Sequence, residues 1–138
     1  MFVGFTGSRY GMTSEQEVSV RLLLEELQPE GLHHGDCVGA DREAHLIAME
    51  MGIPIYLHPP SNTSLRAYCQ GARYTFMHES YSKRDLSIVE NSDTLIATPK
   101  SWLELKLGGT WQTVRFARKL KGPIFIVWPD GKVKMEGR

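Results

Sequence analysis

Short runs of β-forming residues alternate with amphipathic helical patterns along the whole of this 138-residue chain. Parallel strands need a crossover of a dozen or more residues between them, so the alternation points to βαβ units on a mostly parallel sheet. Five strands fit: Phe2 to Thr6, a weak run from Leu32 to His34, Ile53 to His58 with Pro54 inside it, Thr94 to Ala97, and Ile124 to Trp128. Val20, Leu23, Leu24 and Leu27 share one helical face, introduced by Thr13 and Gln16 at capping-box spacing and stopped before Pro29. Ala40, Ala44, Ile47, Ala48 and Met51 form a second apolar face, closed by Gly52. A third helix is expected over Ser82 to Asn91. A fourth begins near Thr110, carries Val114, Ala117 and Leu120 inward, and stops at Gly122 and Pro123. From Pro59 to about Ser80 no period is regular, and the stretch reads as a long loop holding one short helix. The expected fold is single-domain α/β, with a mostly parallel five-stranded sheet and helices on both faces.

Length and composition narrow the function classes. One core is expected from a chain of this size, and 41% apolar with 23% charged residues excludes a disordered or fibrous polymer. No apolar run is long enough to span a bilayer, and Met1 to Gly4 lack the basic start of a secretory signal, so no membrane partner and a cytoplasmic location are expected. In that setting Cys37 and Cys69 read as free thiols. The formal charge is zero, which argues against binding nucleic acid through bulk electrostatics. Its distribution is uneven. Residues 1–69 carry 4 Lys/Arg and 9 Asp/Glu and residues 70–138 carry 12 and 7, a split of −5 against +5.

In an open parallel sheet, ligands bind where the strand C-termini meet the following helix N-termini. Three loops fall on that edge. Thr6, Gly7, Ser8 and Arg9 offer close backbone approach, a hydroxyl and a guanidinium fork for phosphate or carboxylate. Gly35 to Asp41, including Gly39 and Ala40, would present backbone N–H groups to an anion, and Asp36 and Asp41 could accept hydrogen bonds from sugar hydroxyls or a base amine. Helix capping is an equal alternative for Asp41. Gly108, Gly109 and Thr110 open the last helix and have the same N–H and dipole chemistry. No loop is a Walker motif, and none has the full dinucleotide-binding glycine spacing.

Gly4 to Arg9, His34 to Asp41, Lys83-Arg84-Asp85 ahead of Ile88-Val89 and Ser92-Asp93, and Gly108 to Thr113 together resemble the SLOG superfamily. That superfamily includes the LOG-type phosphoribohydrolases and the Rossmann-like domain of DNA-processing protein A. The resemblance runs over nearly the whole chain. It implies one Rossmann-like nucleotide-binding domain over residues 1–138, a small nucleotide-derived ligand, no cofactor and a homodimer. It places phosphate binding on Gly108, Gly109 and Thr110, and the family's arginine on Arg84, with Lys83 as the competing assignment. LOG-type hydrolases carry a glutamate after the glycine motif, and here Thr113 stands in that place with Gln112 beside it. Neither side chain can serve as a carboxylate base, so N-glycosidic hydrolase or transferase activity would need Asp36 or Asp41 as the catalytic carboxylate, with Arg84 on the phosphate.

Other groups have two readings each. His33, His34, Asp36, Cys37, Asp41 and His45 invite a metal, but adjacent residues of one strand point to opposite faces, so no metal is assigned. Cys37 before a helix could be a nucleophile or an inert thiol. Trp111 could stack on a base or fill the core. Tyr68, Tyr74, Phe76 and Tyr81 interleave with Arg66, Arg73, Lys83 and Arg84 as a single-stranded nucleic-acid groove would, or as a lid would. The leading expectation is a nucleotide-ligand site. The alternatives are a non-catalytic carrier or sequestering protein and a single-stranded nucleic-acid binder.

Overall fold

The first strand sits at the centre of the molecule because both its flanks are filled by other strands. A computed structural model describes residues 1–137. In it β1 (Phe2–Gly7) pairs in parallel with β2 (Gly31–His34) on one side and with β5 (Thr94–Thr98) on the other. Beyond β2 lie β3 (Ile55–Leu57) and β4 (Tyr74–Thr75). Beyond β5 lie β6 (Ile124–Val127) and β7 (Val133–Glu136), and only β7 is antiparallel. The order 4-3-2-1-5-6-7 reverses direction between β1 and β5, where a ligand crevice is expected to open.

The sheet has seven strands where the sequence reading expects five, and both additions are at edges. Tyr74 and Thr75 are exposed and too short to leave a period. Val133–Glu136 returns along β6 after Pro129, Asp130, Gly131 and Lys132, with Gly131 N–H bonded to Trp128 O as a turn requires. The third strand is shorter than Ile53 to His58, since Pro54 has no N–H to give the ladder, and the His58 N–H to His34 O bond is the last one at the other end. The expected short helix is a single 3-10 turn, Thr63–Leu65.

Helices α1 (Ser14–Leu27), α2 (Ala40–Glu50), α3 (Tyr81–Glu90) and α4 (Gly109–Leu120) cover both faces. Val20 and Leu24 of α1 and Ala40, Ala44, Ile47 and Ala48 of α2 pack on Val3, Phe5, Leu32, Ile55 and Ile96. On the other face Val89 of α3 and Trp111, Val114 and Ala117 of α4 pack on Leu95, Ala97, Ile124 and Ile126. Alternation along β5 thus divides the core into two layers. No described helix is long and apolar enough to cross a membrane.

Gln16 locks the entry of α1 to the sheet. The capping box is complete: Thr13 Oγ1 accepts from Gln16 N–H at 3.0 Å and Gln16 Oε1 accepts from Thr13 N–H at 2.9 Å. The buried amide also donates to Pro99 O and Val127 O, both at 2.9 Å, at the ends of β5 and β6. Gln16→Ala removes the side-chain half of the capping box and strands two buried carbonyls, so chemical denaturation should show a loss of about 2–4 kcal/mol. A loss under about 1 kcal/mol would mean that water replaces the amide.

Candidate functional site

The crevice at the switch point is a cleft of about 680 Å³. The β1 end supplies Gly7, Ser8, Arg9 and Tyr10. The loop after β2 supplies Gly35 and Cys37, and α2 supplies Asp41. Helix α3 contributes Tyr81, Arg84, Asp85 and Ile88, while Pro99 to Arg115 form the opposite wall through Lys100, Lys106, Gly108, Gly109, Thr110 and Trp111. Ten of the residues singled out in the sequence therefore share one cavity: Gly7, Ser8, Arg9, Gly35, Asp41, Arg84, Gly108, Gly109, Thr110 and Trp111.

Three do not line it. Asp36 has a left-handed backbone, φ 53°, which turns its fully buried carboxylate away from the cleft. There Oδ2 takes Arg66 Nε at 2.8 Å and Oδ1 takes the Cys69 N–H at 2.8 Å, so it is spent on fastening the 66–69 segment. That placement overturns the assignment of Asp36 as a ribose ligand or catalytic carboxylate. Gly39 and Ala40 are also corrected, because they hold loops together behind the cleft. A Cβ on Gly39, at φ +90°, would stand 2.3 Å from Arg9 O, and Ala40 N–H donates to Ser8 O at 2.9 Å.

Arg84 is the deepest cation of the site. It is buried, whereas the alternative, Lys83, is exposed. Its Nε donates to Asp85 Oδ1 at 2.7 Å, and Nη1 donates to Gly35 O and, at 3.3 Å, to His58 O. Nη2 has no protein acceptor among the described residues. Gly35 makes this crossing possible, since a Cβ there would stand 2.1 Å from Nη1. Asp41 is neither free in the cleft nor a cap for its own helix: its Oδ2 accepts the N–H groups of Gly35 at 3.2 Å and Cys37 at 3.3 Å. Burial pushes its carboxyl up to about 7, against the pull of Arg84. Burial also raises the Cys37 thiol to about 11, which leaves it protonated and removes the nucleophile reading.

The start of α4 is uncapped. Its first helical hydrogen bond runs from Gln112 N–H to Gly108 O, and Gly108 has no side chain to accept from Gly109, Thr110 or Trp111. Trp111 is chiefly core, buried 6.0 Å from Trp128. Thr113, at the position of the hydrolase glutamate, is fully buried and donates its hydroxyl to Gly109 O at 2.7 Å. It lies beside Asp85, whose Oδ2 is left without a donor. Burial raises the Asp85 carboxyl to about 6, with Arg84 opposing. Asp85 is the site residue that the sequence reading left unassigned. The spacing of Arg84, Asp85, Ile88 and Val89, all buried on α3, is the periodic signal that marks it as inward-facing.

At the mouth, Arg9 Nη2 donates to Tyr10 Oη at 2.9 Å, and Lys100 Nζ lies 4.1 Å from the Tyr10 ring centre. Arg115 is already engaged with Glu104 and with the carbonyls of Leu105 and Lys106. The aromatic and cationic residues considered as a nucleic-acid groove meet in separate pairs, Arg66 with Tyr68, Arg84 with Tyr81 and Tyr74 with Phe76. Phe76 stacks on buried His58, Arg66 is held by Asp36, and Arg84 is buried.

Outside the cleft, His34, His45 and Cys69 bring three donor atoms within 4.8 Å of one another. The hydrogen bonds give those histidines another role. Asp36 N–H donates to His34 Nδ1 at 3.0 Å, so neutral His34 carries its proton on Nε2 and donates to His45 Nδ1 at 2.9 Å, and His45 Nε2 donates to Gln70 O at 2.7 Å. No ring nitrogen keeps a lone pair for a metal. On the opposite face His33 Nδ1 and His58 Nε2 are 2.8 Å apart, and burial lowers these two rings to about 4 and about 3.

By fold, the chain is similar to a molybdenum cofactor binding protein from the phototrophic bacterium Rippkaea orientalis. The TM-score is 0.71 at 20% identity, over 92% of this chain and 76% of that one. The Moco carrier protein from Chlamydomonas reinhardtii gives 0.67 at 21% identity over 91% and 74%, and the structural-genomics target TM1055 gives 0.65 at 14% over 89% and 71%. At these identities the likeness shows a shared Rossmann-like α/β fold. No family model matches the chain, and no curated protein matches it by sequence.

The raised Asp85 carboxyl stabilises the fold in acid: its contribution is complete below about pH 4, the ordinary range of a free aspartate. It is lost as pH rises through about 6. The buried histidines act in the opposite sense, so the informative quantity is Asp85→Asn minus parent, in which they cancel. That stability difference should rise by about 2 kcal/mol between pH 4 and pH 7. A flat difference would show Asp85 titrating as a surface carboxylate.

Proposed function

We propose that the chain is a non-catalytic binding protein that holds a small phosphate-bearing heterocycle in this cleft, a nucleotide derivative or the molybdenum cofactor, and carries it. The observation that supports this most is the state of the hydrolase position. Thr113 is buried and tied to Gly109 O, so the cleft offers cations and open N–H groups without a carboxylate at the place where glycosidic cleavage would need one. The two carboxyls that do line the cavity, Asp41 and Asp85, are both held above the ordinary range and both lean on the protein's own groups. Residues 1–137 form one sheet around this cleft, which agrees with a single ligand-binding domain. The fold likeness to molybdenum-cofactor proteins favours carriage over turnover. The shared ligand chemistry is a phosphate for the α4 N-terminus, Arg9 and Arg84, joined to a flat polar ring for the wall lined by Tyr10 and Gly7.

The intact chain is incubated in separate arms with nucleoside monophosphates, NAD and the molybdenum cofactor, and melting temperature and products are read independently. One arm should raise the melting temperature with the ligand recovered unchanged. Arg9→Ala, on an exposed side chain, should weaken that arm by about tenfold without altering the fold. Release of a free base would overturn the carrier reading. Retention of single-stranded oligonucleotide, with no shift in any small-molecule arm, would favour the nucleic-acid alternative.

A further inference from the structure

Helix α4 has twelve residues and begins with three N–H groups that no side chain caps. Such an end attracts an anion. Beside it stands Asp85, 3% exposed, with Oδ1 on Arg84 and Oδ2 without any donor. That free oxygen lies 3.6 Å from where a Cβ on Gly109 would stand, so it faces the first turn across a position that has no side chain. Thr113 stands beside the same carboxyl, but its single hydroxyl hydrogen is shared with Gly109 O, 2.7 Å away, so it satisfies Asp85 only at the expense of that bond.

The two halves of this pocket make opposite demands. The N–H groups and Arg84 Nη2 need acceptors, while Asp85 Oδ2 needs a donor. A fully ionised anion meets the first demand and is repelled by the second. A ligand group that meets both accepts on several oxygens and donates through one O–H. A phosphate monoester can take up such a hydrogen close to neutral pH, because its second ionisation lies near pH 6, whereas a bridging diester and a sulfate have none there.

We infer that the pocket at the start of α4 takes a terminal phosphoryl group carrying one proton, and that Asp85 Oδ2 accepts the hydrogen bond from its P–OH, selecting terminal phosphate over sulfate and over bridging diphosphate. This rests on the phosphate-binding reading above and assigns the class of phosphate. The charged groups around Asp85 are Arg84 on its own helix and Asp41 from α2. The raised Asp85 carboxyl fits the same arrangement, since a proton is then easily held between two groups of similar acidity.

The test uses inorganic phosphate and sulfate as probes on the full chain at pH 8. There Asp85 is ionised, hydrogen phosphate still has an O–H and sulfate has none. Calorimetric titration should show phosphate bound more tightly than sulfate by about tenfold to a hundredfold, the cost of leaving one buried acceptor against an anion without a donor. Asp85→Asn keeps an acceptor for Arg84 Nε and presents an amide N–H to the anion, so the preference should fall to parity or reverse. Equal binding of the two anions by the unaltered chain would overturn the inference, and that comparison does not depend on the variant folding. A preference that persists in Asp85→Asn would overturn the assignment to Asp85. If neither ion binds while a phosphate-bearing heterocycle still raises the melting temperature, this inference falls and the carrier reading stands. Discrimination between the ions with no heterocycle bound would have the reverse meaning.

Discussion

The buried guanidinium of Arg84 is the interaction around which the ligand edge is arranged. Removing a cation from water costs several kcal/mol, so it must be repaid by partners at close range. Here the partners come from three elements: Asp85 on α3, the carbonyl of Gly35 after β2 and the carbonyl of His58 after β3. One side chain thereby fixes the spacing between α3 and the ends of two strands. The same spacing dictates glycine at position 35, since any Cβ would occupy the path of Nη1. Arg84 belongs to neither core layer, so this pairing is separate from the packing of the sheet.

The rest of the edge is backbone brought into reach by small residues. A Cβ on Gly7 would stand 2.2 Å from Thr98 Oγ1 and 2.5 Å from Ala40 Cβ, so β1 can end between β5 and α2 only without a side chain. Gly39 performs the same service for the Arg9 turn. The outcome is a cavity whose donors are N–H groups, the guanidinium groups of Arg9 and Arg84 and the ammonium groups of Lys100 and Lys106, with its carboxyls drawn back. Such a surface holds phosphate well and has little with which to move protons on a sugar. On the carrier reading proposed above, binding and the lack of turnover would have one geometric origin.

Much of this was legible in the residues. The capping box at Thr13 and Gln16, the helical faces and the central strands all carry local periods that tertiary packing leaves intact. Topology then brought three glycine loops to one edge without knowledge of any side-chain position. What could not be read is where a single side chain turns. Asp36 follows Gly35 directly, yet its left-handed backbone aims the carboxylate at Arg66 and Cys69, residues some thirty positions away. Edge strands failed for another reason: Tyr74 and Thr75 bury nothing, so no pattern betrays them. The hairpin into β7 did have a signal, in Pro129, Asp130 and Gly131, and a turn-first reading would have found it.

Comparing the two buried aspartates with guanidinium partners separates scaffold from site. Asp36 has both oxygens occupied, one by Arg66 and one by the Cys69 N–H, so its charge is answered within the protein and nothing further can approach. The histidines near it are equally closed, since each ring nitrogen of His34 and His45 already gives or takes a hydrogen bond. Asp85 differs by one atom. Its Oδ1 completes the Arg84 pair and its Oδ2 answers to nothing, at a wall where the α4 amides are also open. Buried polar atoms are normally satisfied, and an exception costs about 1–3 kcal/mol unless water or a ligand supplies the missing group. An unsatisfied acceptor against unsatisfied donors is therefore a gap with the shape of a molecule that has both, and in this fold it falls at the switch point between β1 and β5 where a ligand would enter.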